Sequence, residues 1–572
     1  MKGRNQLIEN VSQKLSNFFT KAIIWLGIVF SAVIFVVATM FTTKIVNYYG
    51  EDMNIIFAPY IVIGAIIFLL IFTIPPVRRF LTKIPTKTVL RVVLIWGFFA
   101  ALTWVMIADV LPMWDSQDLI YAADAINGSR DILATGKWAP GSYVEHFPFQ
   151  TPLIFFIALL QHVAGGNFII LFQILNCIAC AVSMYFIVKI TDNFFKNSLA
   201  TSIAAILVML FLPIIFYCTF IYGNILSLPF VLACWYFQKR AMDTKKIWRF
   251  GLLSAFLGVI ACLFKSTMSF AVIASAVVWI VWAISQKKIK PVFVALISLV
   301  LIKISIFPFY LAVGANTELN LAQNGLPSIA WITMGIGGGK EYNADISEND
   351  TIRYEMQQPG YFDGFVWALK SEDYSKEAAS ELSYEYLDKR IQHFQADPGL
   401  FFQFFGRKLA IEWTEPTFES ILANNWCSHA SANNYSMCTR NHTFFTKAIF
   451  NGPLDRVVIG CLDCLQTVIL LGLVVCLFAQ RKVLNIAQLA PLICILGMAF
   501  VYIFWENKTQ YILPAYLFMI PYSGLGINII LQRLSQSRIL VGLYSRRKSS
   551  RHTRQLTPKK SSVGHPKSKQ NK

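Results

Sequence analysis

Residues 92–118 read VVLIWGFFAALTWVMIADVLPMWDSQD, an apolar run of membrane-spanning length followed by Asp115 and Asp118. About 20 apolar residues are enough to cross ~30 Å of hydrocarbon as a helix. Comparable runs recur along the whole chain. The predicted spans are 22–41, 55–74, 92–111, 168–188, 199–218, 224–238, 250–264, 268–284, 291–311, 457–479, 484–504 and 511–531. The sequence therefore predicts an all-α polytopic membrane protein with about twelve transmembrane helices.

The composition of the 572 residues supports the same class. Hydrophobic residues make up 56% of the chain, charged residues only 14%, and Phe occurs 47 times. A soluble protein averages ~25% charged residues. The net charge of +19 does not indicate a nucleic-acid partner, because 12 of the 50 Lys and Arg lie in residues 531–572. We expect this basic tail to be disordered, and either to contact anionic membrane lipids or to serve only as a topology anchor.

The basic residues also predict the orientation of the chain. Lys and Arg mark cytoplasmic loops, and the clusters at 78–91, 239–249, 287–290 and 481–482 fall on one side only if the short apolar piece 152–163 does not cross. We therefore expect both termini inside a plasma membrane, in a protein of bacterial type. The predicted divisions are 1–91 with two extra helices, 92–311 as a transmembrane module, 312–456 as a large external segment, 457–531 as C-terminal helices and 532–572 as the tail.

Two external segments contain most of the polar residues. The loop 112–151 is expected to form short juxtamembrane helices. The segment 312–456 is long enough for a small, mainly helical subdomain, and residues 371–413 show helical spacing. Candidate site residues are therefore sought in these segments and in the short external turns.

Asp115 and Asp118 are the first candidates. They follow directly on a span and, being three residues apart, share one face of a helix. Several acids that converge at a membrane face are usually functional. The alternative is a solvated helix start, because Asp favours first turns.

Three further external positions carry ionisable side chains at the expected height of the lipid headgroups. Glu145 and His146 precede the short apolar piece and are candidates for substrate or donor binding. The alternative is a structural role, because a lone His there is more often a hydrogen-bonding interface residue. Lys265 lies between two short spans, where it either extends harmlessly to the interface or meets a lipid phosphate. The last external turn, 504–514, reads FWENKTQYILP and holds Glu506, Lys508 and Gln510. Cys427 and Cys438 form a disulfide or remain free thiols.

In combination these motifs resemble the GT-C superfamily, polytopic glycosyltransferases that use sugars on polyprenyl or dolichyl phosphate. The branch in question contains the protein O-mannosyltransferases and the aminoarabinose transferases. The resemblance rests on Trp114-Asp115 after a span, on His146-Phe-Pro-Phe-Gln150, on Phe-Lys265-Ser two spans after Tyr222-Gly-Asn224, and on Glu506-xxx-Gln510-Tyr-Ile-Leu-Pro514. It covers roughly residues 92–531.

The resemblance implies a GT-C-like module in which Asp115 is the catalytic base. Asp118 is the second catalytic candidate, although many members place their second acid directly beside the first and Asp118 stands three residues away. It implies that Lys265, with Arg353 or Lys508, holds the phosphate of a polyprenyl-phosphate-sugar donor. The implied acceptor is an extracytoplasmic glycan, teichoic acid or protein, and a divalent metal is left open as a cofactor. Two spans precede the module, and Gln510 stands where bacterial members often have Arg. The rival functions are a lipid or polysaccharide transporter and a non-enzymatic subunit of a cell-envelope complex.

Overall fold

The computed structural model describes residues 2–47, 52–110, 112–128, 136–138, 142–323, 325–338, 355, 357–361, 364–372, 374–424, 443–450 and 452–536. Arg353, Cys427, Cys438 and the tail beyond Gln536 lie outside these ranges. The predictions about them therefore stay predictions.

The first half of the chain is almost entirely helical. Its helices are α1 (Lys2–Met40), α2 (Tyr60–Thr73), α3 (Pro75–Lys83), α4 (Thr86–Ala108), α5 (Asp115–Ile126), α6 (Tyr143–His146), α7 (Thr151–Ala164), α8 (Phe168–Phe195), α9 (Ser198–Leu210), α10 (Pro213–Phe216), α11 (Gly223–Thr244), α12 (Leu252–Phe264) and α13 (Ser269–Gln286). The short helices α5 and α6 lie in the loop 112–151, as predicted.

The second half contains the helices of the 312–456 segment and the last spans. They are α14 (Lys290–Ile304), α15 (Phe307–Gly314), α16 (Ser328–Gly335), α17 (Gly364–Ser371), α18 (Lys376–Ala396), α19 (Pro398–Thr414), α20 (Phe444–Ile449), α21 (Asp455–Gln480), α22 (Ala490–Tyr502) and α23 (Leu513–Gln536). The protein is thus a helical, polytopic membrane protein, as the sequence predicted.

Among the described residues, eight helices are long and apolar enough to cross a membrane, or ten if each of two bent helix pairs counts as one span. The bent pairs are α2 with α3, at 67°, and α9 with residues 213–219, at 47°. Two of the twelve predicted spans remain. The helix α22 has only 13 residues, and the apolar part of α11 is shortened by Gln238, Lys239 and Arg240. The count of twelve therefore stays a prediction.

An antiparallel β-ribbon between α1 and α2 was not predicted. Strand β1 (Phe41–Asn47) pairs with β2 (Asp52–Phe57), with Thr43 opposite Ile55. Residues 55–57 belong to this ribbon and not to the span expected at 55–74. Short apolar runs next to long apolar helices carry no distinguishing periodicity, so the β-branched composition of the ribbon was the only signal.

The short apolar helix α7 folds back against the span that follows it. The rings of Phe156 and Phe172 lie 6.2 Å apart, whereas 16 residues of straight helix would separate them by ~24 Å. The reversal occurs at Gly165, whose φ of +53° is accessible to glycine at little cost. The centre of the Phe156 ring also lies 5.1 Å from that of Phe264, which is the last residue of α12. The helix α7 therefore lies across one end of the bundle and does not extend α8.

The two ends of the bundle differ in charge. Helix α11 begins where α12 ends, since a Cβ on Gly223 would meet the Phe264 carbonyl oxygen at 1.8 Å. The 22 residues of α11 rise by ~33 Å and finish beside the basic cluster 239–249. The cluster at 78–91 is at this same end, where Ser202 donates to the Leu81 carbonyl at 2.9 Å. We call this the basic end, and the end that carries Asp115 and Lys265 the site end.

The last span, α23, lies in the centre of the bundle. It approaches α21 so closely that a Cβ on Gly526 would meet the carbonyl oxygen of Gly472 at 1.8 Å. Beside this contact the Ser523 hydroxyl donates to the Ile469 carbonyl at 2.6 Å. Because α23 is held against α21 in this way, the turn 504–511, which immediately precedes α23, is also held in place at the site end.

Candidate active site

Asp115 begins helix α5 immediately after a residue with unusual backbone geometry. Trp114 has φ +53° and ψ −129°, in a region that non-glycine residues rarely adopt. Such strain persists only where the surrounding structure imposes it, and it is common at functional sites. Asp115 and Asp118 both lie in the first turn of α5, so the predicted shared face is confirmed.

Both carboxylates face a cavity of about 330 Å³ at the site end. Aromatic side chains form most of its walls, namely Trp114, Tyr143, Phe147, Phe149, Phe220, Tyr222, Trp331, Tyr361 and Tyr511. The charged residues that line it are Asp115, Asp118, Lys265, Lys370, Glu506 and Lys508. Aromatic faces beside cations suit a ligand with a sugar-like body and an anionic group.

Asp115 is the carboxylate of this cavity without a salt bridge or side-chain hydrogen bond to the described part of the chain. Burial raises its pKa, the neighbouring Asp118 raises it further, and the cations of Lys508, Lys265 and Lys370 oppose the rise. The residue is nevertheless open to the cavity, so water there weakens the effect of the enclosing protein. A carboxylate with a raised pKa that faces an open cavity is suited to accept a proton.

Asp118 differs from Asp115 because it already has a cation. The Lys137 ammonium forms a salt bridge with Asp118 Oδ1, and it also lies 5.9 Å from the centre of the Tyr121 ring. A carboxylate held by a lysine is less available as a base. The geometry therefore distinguishes the two acids that the sequence had paired.

Lys265 enters the cavity from the connection between α12 and α13. Its Nζ lies 4.1 Å from the centre of the Tyr222 ring and 5.7 Å from that of Tyr511. Burial lowers the pKa of Lys265 to about 8, against the opposing influence of Asp115 and Glu506. A cation enclosed by aromatic rings and without a salt bridge in the described chain can bind an incoming anion.

The turn 504–511 supplies the opposite wall. Glu506, Lys508 and Gln510, the candidates from the last external hairpin, all line the cavity. The Tyr511 hydroxyl donates to Glu506 Oε2 at 2.7 Å. The Asn224 amide donates to Gln510 Oε1 at 3.2 Å. The site thus joins residues from α5, from the start of α11, from the α12–α13 connection and from the last hairpin.

Glu145 and His146 lie elsewhere. They line a second cavity of about 830 Å³, on the other side of helix α6. His146 is buried, with Nδ1 2.8 Å from the Ser142 carbonyl oxygen, which is the structural role a lone histidine most often has. Their predicted part in donor binding stays a prediction, and their position separates them from Asp115.

Sequence reasoning missed the residues that the 312–456 segment contributes. Lys370 of α17 lies 5.5 Å from the centre of the Tyr143 ring and 5.4 Å from that of Phe147. Burial lowers its pKa, and Asp118 and Asp115 oppose this change. Trp331, from the same segment, stacks on Trp505 with 5.8 Å between the ring centres. No sequence pattern distinguishes a lysine that lines a cavity from the end of a short helix, such as Lys370, from a lysine that is solvated there.

A second connection between distant parts of the chain lies at the base of the cavity. The Gln150 amide donates to the Tyr222 hydroxyl, and both side chains are buried. Gln150 is the last residue of the motif His146-Phe-Pro-Phe-Gln150, but the sequence did not predict a role for Gln150 itself. Its role in the fold is to hold the Tyr222 ring on which Lys265 rests.

Within the described residues, no group of three or more His, Cys, Asp and Glu side chains is placed to hold a metal ion. Asp118, the acid nearest to Asp115, is already paired with Lys137. The chemistry below is derived from side chains alone.

No family model and no curated protein sequence matches the chain. Among solved structures it is similar to archaeal oligosaccharyltransferase AglB from Archaeoglobus fulgidus in complex with an inhibitory peptide and a dolichol-phosphate, with TM-score 0.36, 12% identity and coverage of 78% of this chain and 52% of that one. The Archaeoglobus fulgidus oligosaccharyltransferase in the apo form gives TM-score 0.35, 11% identity and coverage of 81% and 52%. The chain spans about half the length of these proteins. Likeness at this level carries no argument for function, which is made from the site.

Proposed function

We propose that this protein is an integral membrane glycosyltransferase of GT-C type that transfers a sugar from a polyprenyl-phosphate-linked donor to an extracytoplasmic acceptor. The acceptor class is a cell-surface glycan, a teichoic acid or a protein. One observation carries the proposal. Asp115 has no salt bridge in the described chain, yet it lies in an aromatic cavity close to Lys265, Lys370 and Lys508.

The proposed reaction uses these groups in one step. Asp115 takes the proton of an acceptor hydroxyl, whose oxygen then bonds to the anomeric carbon of the sugar. The bond between that carbon and the phosphate oxygen breaks, and the lipid phosphate leaves with the electron pair. Lys265 and Lys508 stabilise its charge, as preorganised cations do for a developing anion.

The position of the cavity supports a lipid-linked donor. It lies at the end of the bundle opposite the basic clusters, and positive residues mark the cytoplasmic side. The site is therefore proposed to face outward from a bacterial plasma membrane, with both termini inside. There the lipid tail of the donor remains in the bilayer while a water-soluble acceptor approaches Asp115.

The test uses purified protein with a short-chain polyprenyl-phosphate-linked sugar and measures release of the lipid phosphate. Release that requires Asp115 supports the proposal. Binding of the lipid without any release, in the presence of cell-envelope acceptors, contradicts it and favours the transporter or the non-enzymatic subunit.

A further inference from the structure

The turn 504–511 presents alternate residues to the cavity and to the protein interior. Glu506, Lys508 and Gln510 line the cavity. Asn507 and Thr509 point the other way and are 6% and 0% exposed. Because the residues alternate in this way, the contacts that hold Asn507 and Thr509 also set the positions of the Lys508 ammonium and the Gln510 amide.

Thr509 is held by two carboxylates from a different part of the chain. Its backbone N–H donates to Glu419 Oε1 at 2.9 Å, and its hydroxyl donates to Glu415 Oε2 at 3.1 Å. Both acids are 2% exposed. Two buried carboxylates that converge on one residue next to Lys508 are costly to maintain unless fully hydrogen-bonded.

The turn 415–419, which supplies both acids, is itself under strain. Phe418 and Glu419 are consecutive non-glycine residues with φ of +52° and +60°. Glu415 accepts hydrogen bonds from the Thr417 N–H at 2.9 Å, the Thr417 hydroxyl at 2.6 Å and the Glu419 N–H at 2.8 Å. Strain of this kind persists where neighbours over-determine the conformation, and here it aims both carboxylates at Thr509.

The residues that precede the transmembrane module support this turn from behind. The hydroxyls of Thr43, in β1, and Thr414 lie 2.9 Å apart. The Gln466 amide of α21 donates to the Glu415 carbonyl at 3.1 Å. The Phe30 ring of α1 packs on Trp413 at 4.9 Å. The N-terminal helix and ribbon are thus part of the support for the site.

We infer that Glu415, Glu419 and Thr509 are positioning residues, which hold Lys508 at the cavity where it binds the phosphate of the donor. This inference rests on the proposed function. It also gives a role to α1 and the β-ribbon, which precede the transmembrane module, because they contact Trp413 and Thr414 immediately before the turn 415–419.

Farnesyl phosphate is the probe for the test, with binding followed by tryptophan fluorescence of the purified full-length chain. Thr509→Val keeps the shape of the side chain and removes the hydroxyl, and we expect affinity to fall by about fivefold to tenfold, the effect of one ordinary hydrogen bond. Thr509→Ser retains the hydroxyl and is expected to restore affinity to within about twofold. Thr82→Val, at the basic end, is the matched control.

A double-mutant cycle separates positioning from general destabilisation. If Thr509 acts through Lys508, then Thr509→Val has no further effect on probe affinity in a Lys508→Met background. Equal losses in the two backgrounds overturn the inference. So does wild-type affinity in Thr509→Val. Failure of the wild-type chain to bind the probe instead contradicts the proposed function, so the two failures are distinct.

A second measurement covers the case in which Thr509→Val is unstable in detergent. Amine acylation in native membranes, read by mass spectrometry, gives the labelling of Lys508 relative to Lys265 in the same molecule. We expect this ratio to change in Thr509→Val and to stay at the wild-type value in Thr509→Ser. An unchanged ratio in Thr509→Val overturns the inference.

Discussion

The ammonium group of Lys265 lies 4.1 Å from the centre of the Tyr222 ring. The two residues belong to different helix connections, and the tyrosine is fixed in turn by the Gln150 amide. A cation placed on an aromatic face is attracted to the ring without being neutralised by it. Lys265 therefore keeps its charge available to a ligand, and the predictions begin with that charge.

Binding of an anionic lipid should depend on pH through Lys265. Burial lowers the pKa of Lys265 to about 8, so the ammonium is present below this pH and is lost as the pH rises through it. We expect the affinity for farnesyl phosphate to fall between pH 7 and 9. Lys265→Arg should flatten the profile, because Arg stays charged. A wild-type profile that is flat across this range would contradict the assignment.

Asp115→Asn should lower sugar transfer by about 10²-fold or more, because it removes the base but keeps the size of the side chain. Folding should change little, since Asn also occurs readily at helix starts. Asp243→Asn, at the basic end, is the control for an acid lost elsewhere. Transfer at the wild-type rate in a correctly inserted Asp115→Asn protein would remove the case for this cavity as the active site.

Asp118→Asn should cost less than Asp115→Asn. Asp118 is paired with Lys137 and partly exposed, and such a pair contributes up to ~1 kcal/mol, or about fivefold. The double variant Asp118→Asn/Lys137→Gln removes both charges and should lose no more than the single one. Comparing transfer rates of the three proteins checks this, and a loss equal to that of Asp115→Asn would reverse the two roles.

Glu412 should make stability depend on pH in the opposite sense to an ordinary carboxylate. Neither carboxylate oxygen has a hydrogen-bond partner among the residues that the structure describes, and burial raises the pKa of Glu412 to about 8, with Lys408 opposing. The folded chain keeps a proton that the unfolded chain releases at a pKa of ~4.3, so stability falls as pH rises from about 4.5 towards 8.

Glu412→Gln should remove that loss. We expect its melting temperature to exceed that of the wild type at pH 7.5 and to match it near pH 4.5, measured by thermal unfolding in detergent. Glu385→Gln, an exposed acid paired with Lys389, is the control and should show no such difference. Equal melting temperatures of the wild type and Glu412→Gln at pH 7.5 would mean that the Glu412 carboxylate is ionised and hydrogen-bonded, and would contradict this prediction.

The two ends of the bundle should be accessible from opposite sides of the membrane. Gly166 and Thr244 are both exposed, the first at the turn between α7 and α8 and the second at the basic end. A cysteine at Gly166 should react with a membrane-impermeant maleimide in intact cells. A cysteine at Thr244 should react only after permeabilisation, and labelling of Thr244→Cys from outside would invert the proposed orientation.

Hydropathy predicted the fold well because a long helix carries a continuous apolar run whether it lies at the outside of the bundle or, like α23, is buried among the other helices. It did not predict the β-ribbon, because the strands FTTKIVN and DMNIIF are too short and too mixed in polarity to give a hydropathy signal of their own. The short length of the piece 152–163 and the sidedness of distant basic residues predicted that it does not cross, but not that the chain reverses at Gly165. The structure adds the direct contact between Phe156 and Phe172.

The site was predictable where acids and bases follow directly on a span, as with Asp115, Lys265 and Glu506. The pairing of Asp118 with Lys137 was not, because the two residues are 19 apart in the sequence and no pattern in that stretch indicates how far apart they lie in space. Lys370 and the 415–419 turn were missed for the same reason. Their positions depend on how the 312–456 segment packs on the bundle, which local patterns do not encode.

The walls of the cavity come from parts of the chain that are made at very different times. Asp115 is translated about 390 residues before Lys508 and the helix α23 that anchors it. Until α22 and α23 insert, the carboxylate faces an incomplete cavity without that cation. If the proposed reaction takes place at this cavity, a chain stalled on the ribosome before α23 would lack the means to consume a lipid-linked sugar.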